Sequence, residues 1–301
     1  MSPIPVHAHD HSHHDRGVGA RRIGAALTII VVVAVAELIG GWLSGSLALI
    51  ADAAHMATDA LALTLALLAA RLEARPAGPR HSYGFRRAPV LAAFVNGLAL
   101  FAIALWIVVE AVERWFAPQP VLGLPMLVIA CIGLLANLAG LALLRGGDRQ
   151  DLNVRGAILH MIGDLLGSVA AIAAAVVILS TGWTPIDPLL SVVVALLVLV
   201  SAARLLRDSA HVLLEGAPAH ARTDIIEGEL PRRVQGLASL HHVHVWSLSL
   251  RETLLTCHAR LQSGADPDQV LAAMRRTLQA DYGIAHATIE IEREICHDHS
   301  H

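Results

Sequence analysis

The chain has 301 residues, 55% of them hydrophobic and only 16% charged, with a mean hydropathy of +0.59. That balance excludes an ordinary soluble domain and predicts a membrane protein with a polar appendage. The formal net charge of −3 is small and its charges are unevenly placed; every basic residue is arginine, and no nucleic-acid partner is expected.

Residues 1–20 form a polar tail in which His7, His9, His11, His13 and His14 alternate with Ala, Asp and Ser. It has no apolar run of the kind a cleavable leader carries. Such tracts capture metal loosely or lie free in solvent, and no defined geometry is expected of this one.

Six stretches are long enough to cross a bilayer, which takes about 20 apolar residues. They lie near Ile23–Leu43, Leu47–Ala70, Ala88–Val112, Val121–Leu144, Ala157–Ser180 and Pro185–Leu206, within a membrane domain spanning 21–207. Arginine marks the connections: Arg16, Arg21 and Arg22 precede the first span, and Arg71, Arg75, Arg80, Arg86 and Arg87 follow the second. Arg145, Arg149 and Arg155 separate the fourth and fifth, and Arg204 and Arg207 end the sixth. The alternate connections carry none, apart from Arg114 at a helix end, so the positive-inside rule predicts that both termini are cytoplasmic.

Inside the second and fifth spans stand two matching turns, His55-Met-Ala-Thr-Asp59 and His160-Met-Ile-Gly-Asp164. Residues at i and i+4 share a helix face, so each pair projects an imidazole and a carboxylate together. Asp52 extends the first stripe by one turn and is read as a group that backs the ligands or guides the ion in. A pair of this kind can be a local helix contact or a polar seam between helices. Two matching pairs at membrane depth, where ionisable groups are expensive, point instead to a pathway. Two nitrogens and two oxygens make a tetrahedral set suited to zinc, cobalt, nickel or cadmium, whereas magnesium and calcium prefer oxygen shells. Metal and protons compete for the same atoms, and imidazole titrates near neutrality.

From residue 208 to 293 the composition is that of a small soluble domain. Thr223–Gln235 reads as a helix despite Pro231, and Leu240–Leu250 with Glu252–Leu261 as a hairpin turning near Arg251. Asp266-Pro267-Asp268 caps a helix running through Ala280, and His286–Arg293 reads as a third strand. The order αββαβ predicts a compact α+β domain on the cytosolic side. Alternation places Val243 and Val245 toward the core, and His241 with them unless it lies at a frayed strand start; His242, His244 and Trp246 take the other face. Cys131, Cys257 and Cys296 make no disulfide framework, and residues 294–301 form a second His-rich tail.

The segment Gly45-Ser-Leu-Ala-Leu-Ile-Ala-Asp-Ala-Ala-His-Met-Ala-Thr-Asp59 resembles the second-span signature of the cation diffusion facilitator family. Asn153-Val-Arg-Gly-Ala-Ile-Leu-His-Met-Ile-Gly-Asp164 is similar to its fifth-span signature, and the likeness runs from about Arg21 to Glu292. The resemblance implies a homodimeric metal/proton antiporter of the bacterial inner membrane, with six spans and a cytosolic metallochaperone-like domain. It assigns His55, Asp59, His160 and Asp164 to the transport site, and the leading His of the second-span motif is similar to the zinc branch. By the same likeness, Leu240-His-His-Val-His-Val-Trp246, Cys257-His258 and Thr288-Ile-Glu-Ile-Glu292 match a zinc-binding cytosolic part, with His241, His258 and Glu292 as ligands; the strand alternation leaves His242 and His244 as the alternatives. A departure is Pro89, where many relatives carry an acidic residue.

Two other functions compete. An intramembrane metal hydrolase would need an open metal position, which four protein ligands would close, and no His-Glu-x-x-His is present. A sensor without transport would leave the two intramembrane pairs unexplained.

Overall fold

The computed structural model describes residues 31–144, 152–249 and 252–292, with the backbone alone for 140–144 and 152–164. The first helix, α1, is described over Val31–Ser44. It is followed by α2 (Leu47–Glu73), α3 (Ala88–Phe116), α4 (Gly123–Leu144), α5 (Leu152–Thr181) and α6 (Ile186–Leu213). Then come α7 (Thr223–Arg233), β1 (Leu237–Ser249), β2 (Glu252–Leu261), α8 (Pro267–Tyr282) and β3 (His286–Glu292). Each expected span falls on one of the first six helices, and the order αββαβ holds. Among the described residues α2, α3 and α6 are each long and apolar enough to cross a membrane; the apolar stretches described in α1, α4 and α5 are shorter. Both His-rich tails, Arg251 and the first part of the first span lie outside the described residues.

By its contacts the chain divides into two units, Met1–Leu63 with Ala99–Ala202 and Thr64–Leu98 with Ala203–His301. In the first unit large side chains such as Leu124, Leu135, Val193 and Leu197 are exposed, while the buried positions between helices are small. Ala130 of α4 and Ala171, Ala174 and Ala175 of α5 form one such cluster with Leu49 and Met126. In a lipid solvent apolar area gives little drive to associate, so close backbone approach through small residues is what packs spans together.

The second unit holds a three-stranded sheet in the order β1-β2-β3, with β1 antiparallel and β3 parallel to the central β2. A parallel neighbour requires a crossover, and α8 supplies it. The α8 residues Val270, Met274, Leu278 and Tyr282 recur every fourth position and are buried against Leu255, Cys257 and Ala259 of β2 and Ile226 and Leu230 of α7. Burial of each large apolar side chain contributes about 1.5–3 kcal/mol. Asp266 caps α8 by accepting from the Asp268 amide at 3.0 Å, and Gly283 closes it in the left-handed region at φ 66°. Helix α7 ends at Arg233, two residues short of the expected Gln235, because Pro231 weakens its last turn and Gly236, at φ 89°, turns the chain into β1. Strand β1 begins at Leu237, three residues earlier than the alternation indicates.

Candidate metal centres

Helix α2 carries the first centre. Its segment from Leu47 to Glu73 contains neither Gly nor Pro, so one continuous helix sets the spacing of its polar stripe. His55 Nε2 lies 3.9 Å from Asp59 Oδ2, with both side chains about a quarter exposed. That separation is too long for a hydrogen bond. Two ligands of one zinc-like ion, at about 2.0–2.2 Å each, sit roughly 3.4 Å apart at a tetrahedral angle and further apart as it opens, so the pair has a spacing an ion can bridge. Thr58 donates its hydroxyl to the His55 carbonyl at 2.6 Å.

Asp52, one turn earlier, is buried and touches α5. The Ser168 hydroxyl donates to Asp52 Oδ2 at 3.4 Å, and the amide of Asn137 on α4 donates to Ser168 Oγ at 3.3 Å. At Gly167 an added Cβ would stand 3.0 Å from Asp52 Oδ1, so the missing side chain lets α2 and α5 approach. Glu37 of α1 is equally buried and fills the space beside Gly133 of α4. The sequence gives no sign of the link through Ser168, because a hydroxyl within an apolar run is too common a signal. His160 and Asp164 lie on the α5 backbone, and their side chains are outside those described.

The second centre is in the sheet. Glu292, the last residue of β3, places Oε1 2.8 Å from His258 Nδ1 and Oε2 2.9 Å from His241 Nε2. One candidate ligand atom from each of the three residues lies within 4.8 Å of the others. Glu290 also approaches His258, at 3.8 Å. The His242 ring joins them, with ring centres 5.0 Å from His258 and 5.4 Å from His241, while His244 is exposed.

Here the alternation argument fails. His241 lies opposite His258, yet His244 lies opposite Thr256, so β1 spends three steps where β2 spends two. The extra residue is a β-bulge, and His242 takes the left-handed φ of 49° within it. The bulge inverts the in–out parity: Leu240 and Val245 both face the core, whereas His241 points to the opposite face with His258. His241 is therefore neither beside the valines nor at a frayed start. Beneath the cluster Cys257 is buried in the hydrophobic core, and that burial pushes its thiol up to about 12.

An apolar helical unit bearing a His–Asp face, followed by a small sheet bearing histidines on a glutamate, defines a metal-handling membrane protein. Residues 23–214 match the family model of the cation efflux transmembrane domain, and 209–294 that of the cation efflux protein cytoplasmic domain. The chain belongs to the cation efflux, or cation diffusion facilitator, family, whose members are transporters and not enzymes. It is 47% identical over 292 residues to the zinc transporter ZitB of Pectobacterium atrosepticum, covering 97% of this chain and 91% of that one. To ZitB of Escherichia coli K12 it is 46% identical, with 97% and 93% covered. The cadmium, cobalt and zinc/H(+)-K(+) antiporter of Bacillus velezensis is 39% identical, with 96% and 93% covered.

Proposed function

We propose that this metal cation efflux protein is a secondary transporter that carries zinc out of the cytosol in exchange for protons, with His55, Asp59, His160 and Asp164 as its transport site. The observation that carries the reading is the contact of Asp52 with Ser168, which sets the register of α2 against α5. Leu49 packs with Ala171, Ala174 and Ala175, further along α5, so the two helices run antiparallel. Equal rise per residue then extends that register down both backbones: position 164 falls level with Met56, and position 160 with Ala60. The two His-x-x-x-Asp turns then fall at one height along the helices, which supports a shared site. Asp52 stands a turn above them, placed to back the ligands or to guide the ion.

The chemistry of the donor set supports exchange. Each imidazole and carboxylate must shed its proton to hold the cation, so protonation from one side and metal from the other compete for one site. Zinc as cargo is supported by the names of the two ZitB relatives, and proton coupling by the antiporter name of the Bacillus protein. In the cytosolic part His241, His258 and Glu292 would hold a further zinc as a regulatory ligand. The match of residues 209–294 to a model labelled for dimerisation, ZT_dimer, supports a homodimer. The bacterial relatives support an inner-membrane protein, with a membrane part over 21–207 and a cytosolic part over 208–293, and the arginine pattern supports both termini inside.

Purified protein in liposomes tests this. Zinc or cadmium uptake should follow an imposed proton gradient, with protons appearing in counterflow, and Asp59→Ala or Asp164→Ala should lower uptake by about a hundredfold or more. Uptake retained in either variant rejects the site, and wild-type uptake indifferent to the gradient rejects the exchange.

A further inference from the structure

The first turn of α2 is closed by a side chain from another helix. Asp187, the second residue of α6, accepts the Leu47 amide on Oδ2 at 2.7 Å and the Ala48 amide on Oδ1 at 3.2 Å. The Ser46 hydroxyl also donates to Oδ1, at 2.7 Å. Ser46 Oγ in turn receives the Leu49 amide at 3.3 Å, and the Ser46 amide donates to Ser44 Oγ at 3.4 Å. All four amides that a helix start leaves without an intrahelical partner are thereby met. Asp187, Ser46, Leu47 and Leu49 are each 0% exposed.

The preceding turn is held as firmly. The Arg114 guanidinium of α3 donates to the Gly45 carbonyl at 2.6 Å, and the Leu122 amide to the Ser44 carbonyl at 2.8 Å. Gly45 sits at φ 74°, and a Cβ there would meet the Pro120 carbonyl oxygen at 2.6 Å. Residues 44–49 are tied to α3, to the α3–α4 connection and to α6.

A helix start does not need this. Ser46 alone is a sufficient cap, and Asn, Asp or Ser at that position ordinarily satisfies a helix without help. A buried carboxylate in a spanning helix is costly, and the partial positive charge of the helix start offsets only part of that cost. What the arrangement adds is a bond between two helices at a defined height and rotation. Helix α2 runs unbroken from that point, and His55 lies about 12 Å further along its axis. A rotation of about 20° at Leu47 would swing a side chain roughly 2 Å at the helix surface.

We propose that Asp187 is a positioning residue of the transport site: it clamps the start of α2 to α6, and so fixes the height and rotation at which His55 and Asp59 meet the cation. The proposal rests on the reading that these two residues bind the transported ion. Misplacement by an ångström or two weakens capture before it affects anything else, so loss of the clamp raises the KM for zinc.

Three full-length variants in liposomes test it. Asp187→Ser should raise the zinc KM about tenfold, and Asp187→Asn, which keeps one acceptor, should fall between it and wild type. Moving the carboxylate from α6 to α2, an exchange made as Ser46→Asp with Asp187→Ala, puts it on the cap of α2 itself and leaves α6 no partner for it; this should recover thermal stability while the KM stays raised. A lower maximal rate at unchanged KM means fewer folded molecules and overturns the proposal, as does a wild-type KM in the exchanged protein. Should wild type carry no zinc at all, the transport-site reading fails separately. Hydrogen exchange over residues 186–191 then decides the clamp: faster exchange in the exchanged protein supports it, and wild-type rates overturn it.

Discussion

On α2 the two metal-ligand candidates are neighbours on one helix, whereas in the cytosolic sheet they come from three different strands. The first arrangement survives any rearrangement that leaves the helix whole. The second exists only while β1, β2 and β3 are in register, because one carboxylate at the end of β3 holds histidines of both other strands. A local pair suits a site that must work while its surroundings move. A pair of histidines drawn onto a shared Glu292 suits one that reports whether the domain is assembled.

The largest expected effect that separates the two is Glu292→Ala. Calorimetric titration of the full chain in detergent should lose about one zinc per chain, yet uptake at saturating zinc should persist; Asp59→Ala should lose about one zinc and uptake together. Loss of uptake in Glu292→Ala would erase the distinction. A smaller effect concerns the bulge. Valine at a left-handed φ costs about 1–3 kcal/mol, while asparagine tolerates it, so His242→Val should weaken the sheet site about tenfold more than His242→Asn in the same titration. Equal losses would mean that the His242 ring, and not the backbone it shapes, is what counts.

The smallest effect tests the packing below the cluster. The Cys257 thiol stands at about 12 in the folded chain against an ordinary value of 9.0. A folded value raised in this way gives stability that is whole below about pH 9 and is lost as the pH rises toward 12, where the unfolded chain gains a thiolate that the folded one withholds. The thermal midpoint of the cytosolic part, followed by circular dichroism, should decline over that window, and Cys257→Ala should flatten the decline. A slope unchanged by the substitution would place its cause elsewhere.

Much of this was legible residue by residue. The six spans, the αββαβ order and the His55–Asp59 face follow from apolar run length and helical period, which are local properties. The Asp266 cap also follows from a short-range rule, whereas α8 runs on to Tyr282, two residues past the expected Ala280, before Gly283 closes it. His241 did not yield to the same treatment, because one inserted residue in a strand reverses every later side chain, and an insertion leaves no mark in an alternating string of His and Val. Asp187 was invisible for a related reason: it lies 140 residues from Leu47, and nothing near it records which helix its carboxylate caps.

The order of residues alone settled the membrane class, the helices and which ionisable groups share a turn, since those depend on backbone period and on the cost of polarity in hydrocarbon. Only the tertiary structure decided that Asp52 meets Ser168, that Asp187 closes the start of α2, and that Glu292 gathers His241 and His258. Contacts between distant segments are set by packing and register, and these are properties of the assembled chain.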